Sequence, residues 1–568
     1  MKSFLFAMLL VCFSFFCVTP SIAQETSGEI DVEGAARKLY DAKQWEQLVQ
    51  LTNGAGVRIP ELSFLRGMAL MRLERYQEAR ETFSAGYREA PKDERFLVER
   101  AGAEYRLKDF AAAKSDLRRA LQSKPKDEYA LEFLGTIYLR EGNIDAALKY
   151  WNRVGKPRLA AVTLQPEPRL NATLRKNAVN FNPPQILDRK TWLATGEKLR
   201  NLGVFPERRL ELTPAGEQDY AAVLRLSEQD GRDELGWAGL ISLLSGTPYQ
   251  TVYPEWYNVG TRAINFTSVA RWDAQKRRAF ASLSFPVEGR ADRVASVYVD
   301  GRDENWNLTQ TFRGSSSPLN ELKLRSIEAD VNLRFVVNGD WSWNAGTGVV
   351  GRTFRNAGAE TNATAAAFFT NGTTLKSWLG VTHTLLRVPE RRFTVVGRAN
   401  SQFGRGYKQA LGPFGSLDGS LKADWLPHAS GEQDSLSIHA RAATIFGTVP
   451  LDQLFELGLD RDSPLWLRGH RATIDGQKGA APLGRHFVLV NSEYNRTLYD
   501  GGFFRLQAGP LLDLGKIADS SGVVGDRRWL VDTGVQVKIR MLGAVSVVLS
   551  YGRDLRNGKG TFFGTTEH

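Results

Sequence analysis

The sequence predicts a multidomain chain: an all-α solenoid of helical repeats, a small α+β unit, and a C-terminal transmembrane antiparallel β-barrel of about 16 strands. Three observations carry this. A spacing of about 34 residues recurs in the N-terminal part. A run of prolines then interrupts it. Alternation of apolar and polar residues with period two fills the rest of the chain.

Composition bounds the reading. The chain has 568 residues, of which 24% are charged. After residue 30 no apolar run approaches the roughly 20 residues of a spanning helix. The first 23 residues differ: Lys2 precedes an apolar run from Phe4 to Val18, and Ser21-Ile22-Ala23 fits cleavage of a signal peptide (residues 1–23) before Gln24. An uncleaved anchor is the other reading of this segment. Cys17 follows Phe16 rather than a small residue, so lipoprotein processing is not expected there. The two cysteines, Cys12 and Cys17, both lie in this segment. Neither a disulfide framework nor a cysteine metal site is therefore expected in the mature chain. The six histidines are scattered without zinc-site spacing, so no metal and no cofactor are expected. The net charge is +11, with both signs interleaved rather than clustered. That pattern suits acidic lipid headgroups or acidic substrates better than nucleic acid, which is not expected as a partner.

The repeats occupy residues 30–160. One unit begins near Pro60 and places Gly67, Ala79, Phe83 and Pro91 at set positions. Ala101, Ala113, Leu117 and Pro125 hold the same positions in the unit from Glu94; Gly135, Tyr138, Ala147 and Trp151 belong to the unit from Glu128. A less regular first unit spans Val32 to Leu51. Small residues let paired helices approach closely, and proline ends each second helix. The residues resemble tetratricopeptide repeats, which implies a curved solenoid that binds peptides or proteins; a purely structural spacer is the plainer reading.

Pro157, Pro166, Pro168, Pro183 and Pro184 mark a break. Residues 170–230 then read strand, helix, strand, strand: Thr173 to Phe181, Asp188 to Leu202, Arg208 to Leu212 and Tyr220 to Glu228. Trp192, Leu199 and Leu202 share one side of the helix. A generic α+β linker would satisfy this pattern. The Leu202-Gly203-Val204-Phe205 run and the last strand closing on Glu228 resemble a POTRA domain, a periplasmic module that feeds extended chains to an outer-membrane barrel.

Residues 237–568 carry the alternation. In Ser326–Val337, Glu328, Asp330, Asn332 and Arg334 alternate with Ile327, Ala329, Val331, Leu333 and Phe335. In Trp529–Arg540, Val531, Val535, Val537 and Ile539 oppose Asp532, Gln536, Lys538 and Arg540. A soluble sandwich with one wet face would alternate too. Strands of about 10–12 residues, with aromatics such as Trp272, Trp306, Trp341, Trp425, Trp529 and Tyr551 towards their ends, fit a membrane barrel. Lipid cannot satisfy an open sheet edge, so such a sheet must close.

A strand-poor stretch from Pro450 to Leu483 interrupts the barrel pattern and contains Leu467-Arg468-Gly469-His470. Long irregular segments between strands are usually functional or disordered. We read this one as a loop folding into the barrel and planting Arg468 on an inner-wall carboxylate, with Gly469 turning the backbone where a side chain would clash. An ordinary surface loop is the plain reading. Strand parity turns Glu493 and, with Arg505 and Gln507, Asp513 into the lumen on adjacent strands. Asp513-Leu514-Gly515 follows the loop in the order seen in the BamA-type superfamily of outer-membrane barrels, which includes TamA and the two-partner-secretion transporters. Residues 170–565 resemble that superfamily. Its inward-loop motif, Val-Arg-Gly-aromatic, corresponds to Leu467, Arg468, Gly469 and His470, and its Asp-x-Gly motif to Asp513 and Gly515. His470 in place of an aromatic, a single POTRA-like unit, the repeats and the final Thr565-Thr566-Glu567-His568 depart from the pattern.

The resemblance implies a non-enzymatic assembly or translocation factor in the outer membrane, its repeats and POTRA-like unit in the periplasm. Unfolded or extended polypeptide would be its client, with periplasmic protein partners on the repeats and outer-membrane lipid around the barrel. It implies a charge-assisted Arg468–Asp513 pair with Glu493 nearby. In an insertase, a weak seam between a first strand near Arg262–Trp272 and the last, Gly560–Thr565, would open. A polysaccharide exporter with a tetratricopeptide scaffold is the rival reading; a β-domain enzyme and an adhesin are further ones, and no nucleophile motif, metal cluster or phosphate loop supports the enzyme.

Overall fold

A computed structural model describes residues 31–53, 59–216, 219–228, 243, 246–313, 319–358, 363–407, 412–501, 504–541 and 545–567. The predicted signal peptide and residues 229–242, where the barrel pattern was expected to begin, lie outside them. The chain divides into two compact units, Met1–Ala130 and Leu131–His568.

In the first unit the repeat spacing produces helix pairs: α1 (Val32–Asp41) with α2 (Trp45–Leu51), α3 (Pro60–Arg72) with α4 (Tyr76–Glu89), and α5 (Arg95–Arg106) with α6 (Phe110–Ser123). Side-chain caps start some of them; Asp109 accepts from the Ala112 amide at 3.1 Å. Leu48, Leu62, Leu70, Phe83 and Phe96 form the shared core. Gly67 is fixed by contact: a Cβ there would lie 2.3 Å from the Phe83 ring. The next pair is α7 (Glu128–Arg140) and α8 (Ile144–Trp151). There Gly135 meets Trp151 in the same way.

The second unit contains a four-stranded sheet, ordered β2-β1-β4-β3, built from β1 (Arg158–Gln165), β2 (Gln185–Ile186), β3 (Glu207–Pro214) and β4 (Asp219–Ser227). Helices α9 (Ala172–Ala178) and α10 (Arg189–Asn201) accompany it. The expected strand Thr173–Phe181 is therefore mostly a helix. Asn171 caps it by accepting from the Leu174 amide at 2.8 Å, and Leu174 and Ala178, four residues apart, are buried. The first strand lies earlier, between Pro157 and Pro166, and pairs parallel with β4. Trp192, Leu199 and Leu202 are buried as expected, with Trp192 stacked on Phe181.

The barrel wall is an antiparallel meander. It begins with β5 (Thr251–Val252) and β6 (Glu255–Val259), both paired to β7 (Ile264–Trp272). The expected first strand is thus preceded by two short ones. The wall continues through β8 (Lys276–Pro286), β9 (Arg293–Trp306), β10 (Leu322–Val336), β11 (Trp341–Arg355), β12 (Gly372–Val388), β13 (Phe393–Tyr407), β14 (Phe414–Trp425) and β15 (Asp434–Gly447). The segment from Pro450 to Leu483 carries the two-residue strands β16 (Phe455–Glu456), β17 (Thr473–Ile474) and β18 (Gln477–Lys478), and β19 (Leu483–Gly484) follows at its end. The wall resumes with β20 (His486–Asp500), β21 (Phe504–Ala518), β22 (Asp526–Met541), β23 (Val545–Asp554) and β24 (Gly560–Glu567). The strand order returns from β24 to β5. Each step from β7 to β24 is a ladder of eight or more paired residues. At that step β24 meets a strand of only two residues.

Alternation sets the two faces. Ile327, Val331, Leu375, Leu379, Leu417, Leu421 and Val535 point outward and are exposed, whereas Asp330, Asp513, Asp532 and Gln536 point inward and are buried. An apolar outer wall of this extent is an unfavourable surface in water and a suitable one in lipid. Trp272, Trp341, Trp425, Trp529 and Tyr551 lie on that wall; Trp306 instead packs with Leu308, Phe312, Phe354 and Phe368 in an apolar cluster at one end of the barrel. No described helix is long and apolar enough to cross a membrane.

At the opposite end, short turns hold the α+β unit and the last repeat helix. Asn201 and Asn177 donate to the carbonyls of Ala291 and Gly289 at 2.9 and 3.1 Å. Asn143 donates to the Pro389 carbonyl at 2.7 Å, and Lys149 and Tyr150 donate to Glu390 at 2.5 and 2.9 Å.

Candidate functional site

The loop between β15 and β20 turns into the barrel because its apolar residues find partners there. Leu467 is fully buried among Leu457, Phe487, Leu489, Ile517 and Leu530. Gly515 makes room for it: a Cβ at Gly515 would lie 2.9 Å from a Leu467 methyl.

This packing aims Arg468 at the wall. Its Nε and Nη2 donate to the two oxygens of Asp513 at 2.9 and 2.6 Å, and its own backbone amide donates to Asp513 Oδ2 at 3.0 Å. Nη1 donates to Glu493 at 2.6 Å and to Gln536 at 3.3 Å. Arg468 and Asp513 are buried, 3% and 0% exposed. Neighbours complete the set. Asn491 donates to Asp513 at 2.7 Å and to the Trp466 carbonyl at 2.9 Å, fixing carboxylate and loop together. Lys538 donates to Glu493 at 3.2 Å. A guanidinium so deep needs this full complement of carboxylates, and the two-pronged pair fixes orientation as well as charge.

Gly469 acts by close approach rather than by a left-handed turn. A Cβ there would lie 2.5 Å from the Asp554 amide nitrogen, and its own amide donates to Asp532 at 2.6 Å. Gly552 serves the facing strand likewise, since a Cβ would stand 2.3 Å from the Arg468 carbonyl carbon. His470 continues the contact: Nδ1 lies 3.0 Å from Asp532 and Nε2 3.3 Å from Asp554. Among the described residues this trio alone gathers three metal-ligating groups closely. Each ring nitrogen faces a different carboxylate, which suits an imidazolium shared by two acids. The arrangement can hold a loop.

The structure thus brings Leu467, Arg468, Gly469, His470, Glu493, Asp513 and Gly515 together. Parity also turns Asn491 inward and sets Asp532 and Gln536 on one strand face, in each case without giving the residue a part; sequence reasoning missed Asp554. It also missed a second charged group on the loop, Asp460-Arg461-Asp462, whose signal was three charges inside a largely apolar stretch. Asp462 accepts from Arg271 at 2.6 Å and from Arg278 at 2.7 Å. Beside the loop lies a lumen cavity of about 600 Å³, lined in part by Arg398, Asn400, His439 and Arg441.

Residues 42–94 and 98–158 match the tetratricopeptide repeat family. No curated protein sequence matches the chain. Among solved structures, the chain is similar to BamA from Haemophilus ducreyi lacking POTRA domains 1–3, at 12% identity over 72% of this chain and 84% of that one, with a TM-score of 0.42. It is also similar to CdiB from Escherichia coli, at 13% identity over 72% and 75%, with a TM-score of 0.47.

Proposed function

We propose that this chain is a non-enzymatic outer-membrane factor that assembles or translocates polypeptides. The repeats gather unfolded or extended clients, or the partners that carry them, on the periplasmic side. The α+β unit acts as a POTRA-like relay, its strand edge pairing with extended peptide. The barrel then inserts the client into the outer membrane or exports it. The observation that carries this reading is the inward loop anchored by buried Arg468 on Asp513 and Glu493. A polar pair held at such depth specifies one loop position, which a passive anchor does not need. The apolar outer wall supports residence in lipid. The bonds from α8 and α10 to the short turns support a periplasmic position for the α+β unit and the last repeat.

The test is quantitative proteomics of outer membrane and culture medium after depletion. Loss of several barrels from the membrane identifies an insertase, and loss of one secreted protein a dedicated transporter. An unchanged protein profile with altered surface polymer overturns the reading in favour of a polysaccharide exporter.

A further inference from the structure

We infer that Asp462 is a positioning residue that straps the inward loop across the β24–β5 seam, holding the two ends of the barrel wall together. The loop grips the C-terminal side through Arg468 and Gly469; the Gly469 carbonyl also accepts from Thr561 of β24 at 3.3 Å. Arg461 donates to the Gly564 carbonyl at 2.7 Å while its guanidinium lies 3.4 Å from the Tyr249 ring centroid and 5.3 Å from that of Phe563. Trp466 packs edge-on against the same Phe563. The next residue crosses to the N-terminal side: Asp462 binds Arg271 of β7 and Arg278 of β8. Beside it Asp460 lies 3.5 Å from Lys276 of β8 and 3.5 Å from Lys478 of the loop. The Asp462 and Arg271 side chains are 2% and 5% exposed, so little solvent screens the pair.

The placement fits a thin step of the wall. Elsewhere from β7 onward backbone ladders of eight or more pairs hold neighbours together, whereas at the seam β24 meets the two-residue β5. There the loop's side chains bridge strands 184 and 191 residues distant from Asp462 in sequence. A carboxylate shared by two arginines on adjacent strands is a fork that sets both position and orientation. Opening this seam then requires Asp462 to leave Arg271 and Arg278, while the Arg468 anchor can stay in place on β20–β22.

Hydrogen exchange on the purified full-length protein in lipid nanodiscs tests this without any client, so it stands or falls separately from the transport reading. Asp462→Asn keeps the shape and removes the charge. The expected result is exchange about tenfold faster in Ile264–Trp272 and Gly560–Glu567, unchanged exchange in His486–Asp500, and recovery in Asp462→Glu. Unchanged seam exchange in a folded Asp462→Asn barrel overturns the inference, as does acceleration spread evenly over all strands. If Asp462→Asn does not fold, Arg461→Ala reads the same seam: faster exchange there supports the strap and unchanged exchange overturns it.

Discussion

Arg468 and Asp513, 45 residues apart in sequence, meet through three hydrogen bonds from one residue to one carboxylate, two from the guanidinium and one from the backbone amide. The side chain and the path of the loop are therefore fixed by the same acid. Arg468→Ala leaves Asp513 buried with its guanidinium partner gone, a loss of about 3–5 kcal/mol at a buried pair. The loop should loosen and activity fall while some barrel remains in the membrane. Arg468→Lys should rescue poorly, because an ammonium cannot reproduce the fork. Limited proteolysis within Pro450–Leu483 and a complementation assay read the two effects.

Gly552→Ala should dislodge the loop without altering a charge. The new methyl would stand 2.3 Å from the Arg468 carbonyl carbon, and backbone on both sides leaves little room to yield. Overpacking of this kind costs about 1–3 kcal/mol. Proteolysis of the loop should resemble that of Arg468→Ala, while circular dichroism still shows the β-sheet signal of the barrel.

In the repeats, Gly67→Ala and Gly102→Ala should differ. The first pushes a methyl into the Phe83 ring at 2.3 Å, whereas at Gly102 the nearest neighbour is the Met71 methyl at 3.6 Å. Thermal unfolding followed by circular dichroism should show about 1–3 kcal/mol of destabilisation for Gly67→Ala. Gly102→Ala should be neutral or slightly stabilising, since alanine favours the helix.

The contact between α8 and the turn at Pro389–Arg391 should weaken in acid. Burial pushes the Glu390 carboxyl up, but the Lys149 ammonium and the Tyr150 hydroxyl outweigh it and hold the group below its ordinary value. Its contribution is thus complete above the unfolded carboxylate range of about 4.3 and is lost as pH falls through the lower folded value. Protection of the Ile144–Trp151 amides, corrected for intrinsic exchange, should decline on acidification below pH 4, and Glu390→Gln should flatten that decline. A decline of equal size in Glu390→Gln would assign it to another group.

Much of this architecture is legible in the sequence because periodicity reports burial directly. The 34-residue spacing located the helix pairs, and parity alone turned Glu493 and Asp513 inward. Short elements are less legible: α9 has seven residues, too few for a 3.6-residue period to stand out, and the prolines read as a break enclose β1. The Asp462–Arg271 contact joins residues 191 positions apart; three charges in an apolar stretch mark Asp462 as unusual, but nothing local names its partner. That a side chain at position 469 would clash is legible in the sequence, but not that the Asp554 amide is what approaches it.

The most direct measurement is complementation of a depletion strain by the Arg468→Ala/Asp513→Ala double variant, with outer-membrane and secreted proteomes as readout. The expected result is a folded barrel in the membrane and failure to restore client proteins. Full restoration by the double variant would contradict it, leaving the buried pair as a brace of the wall with no part in transport.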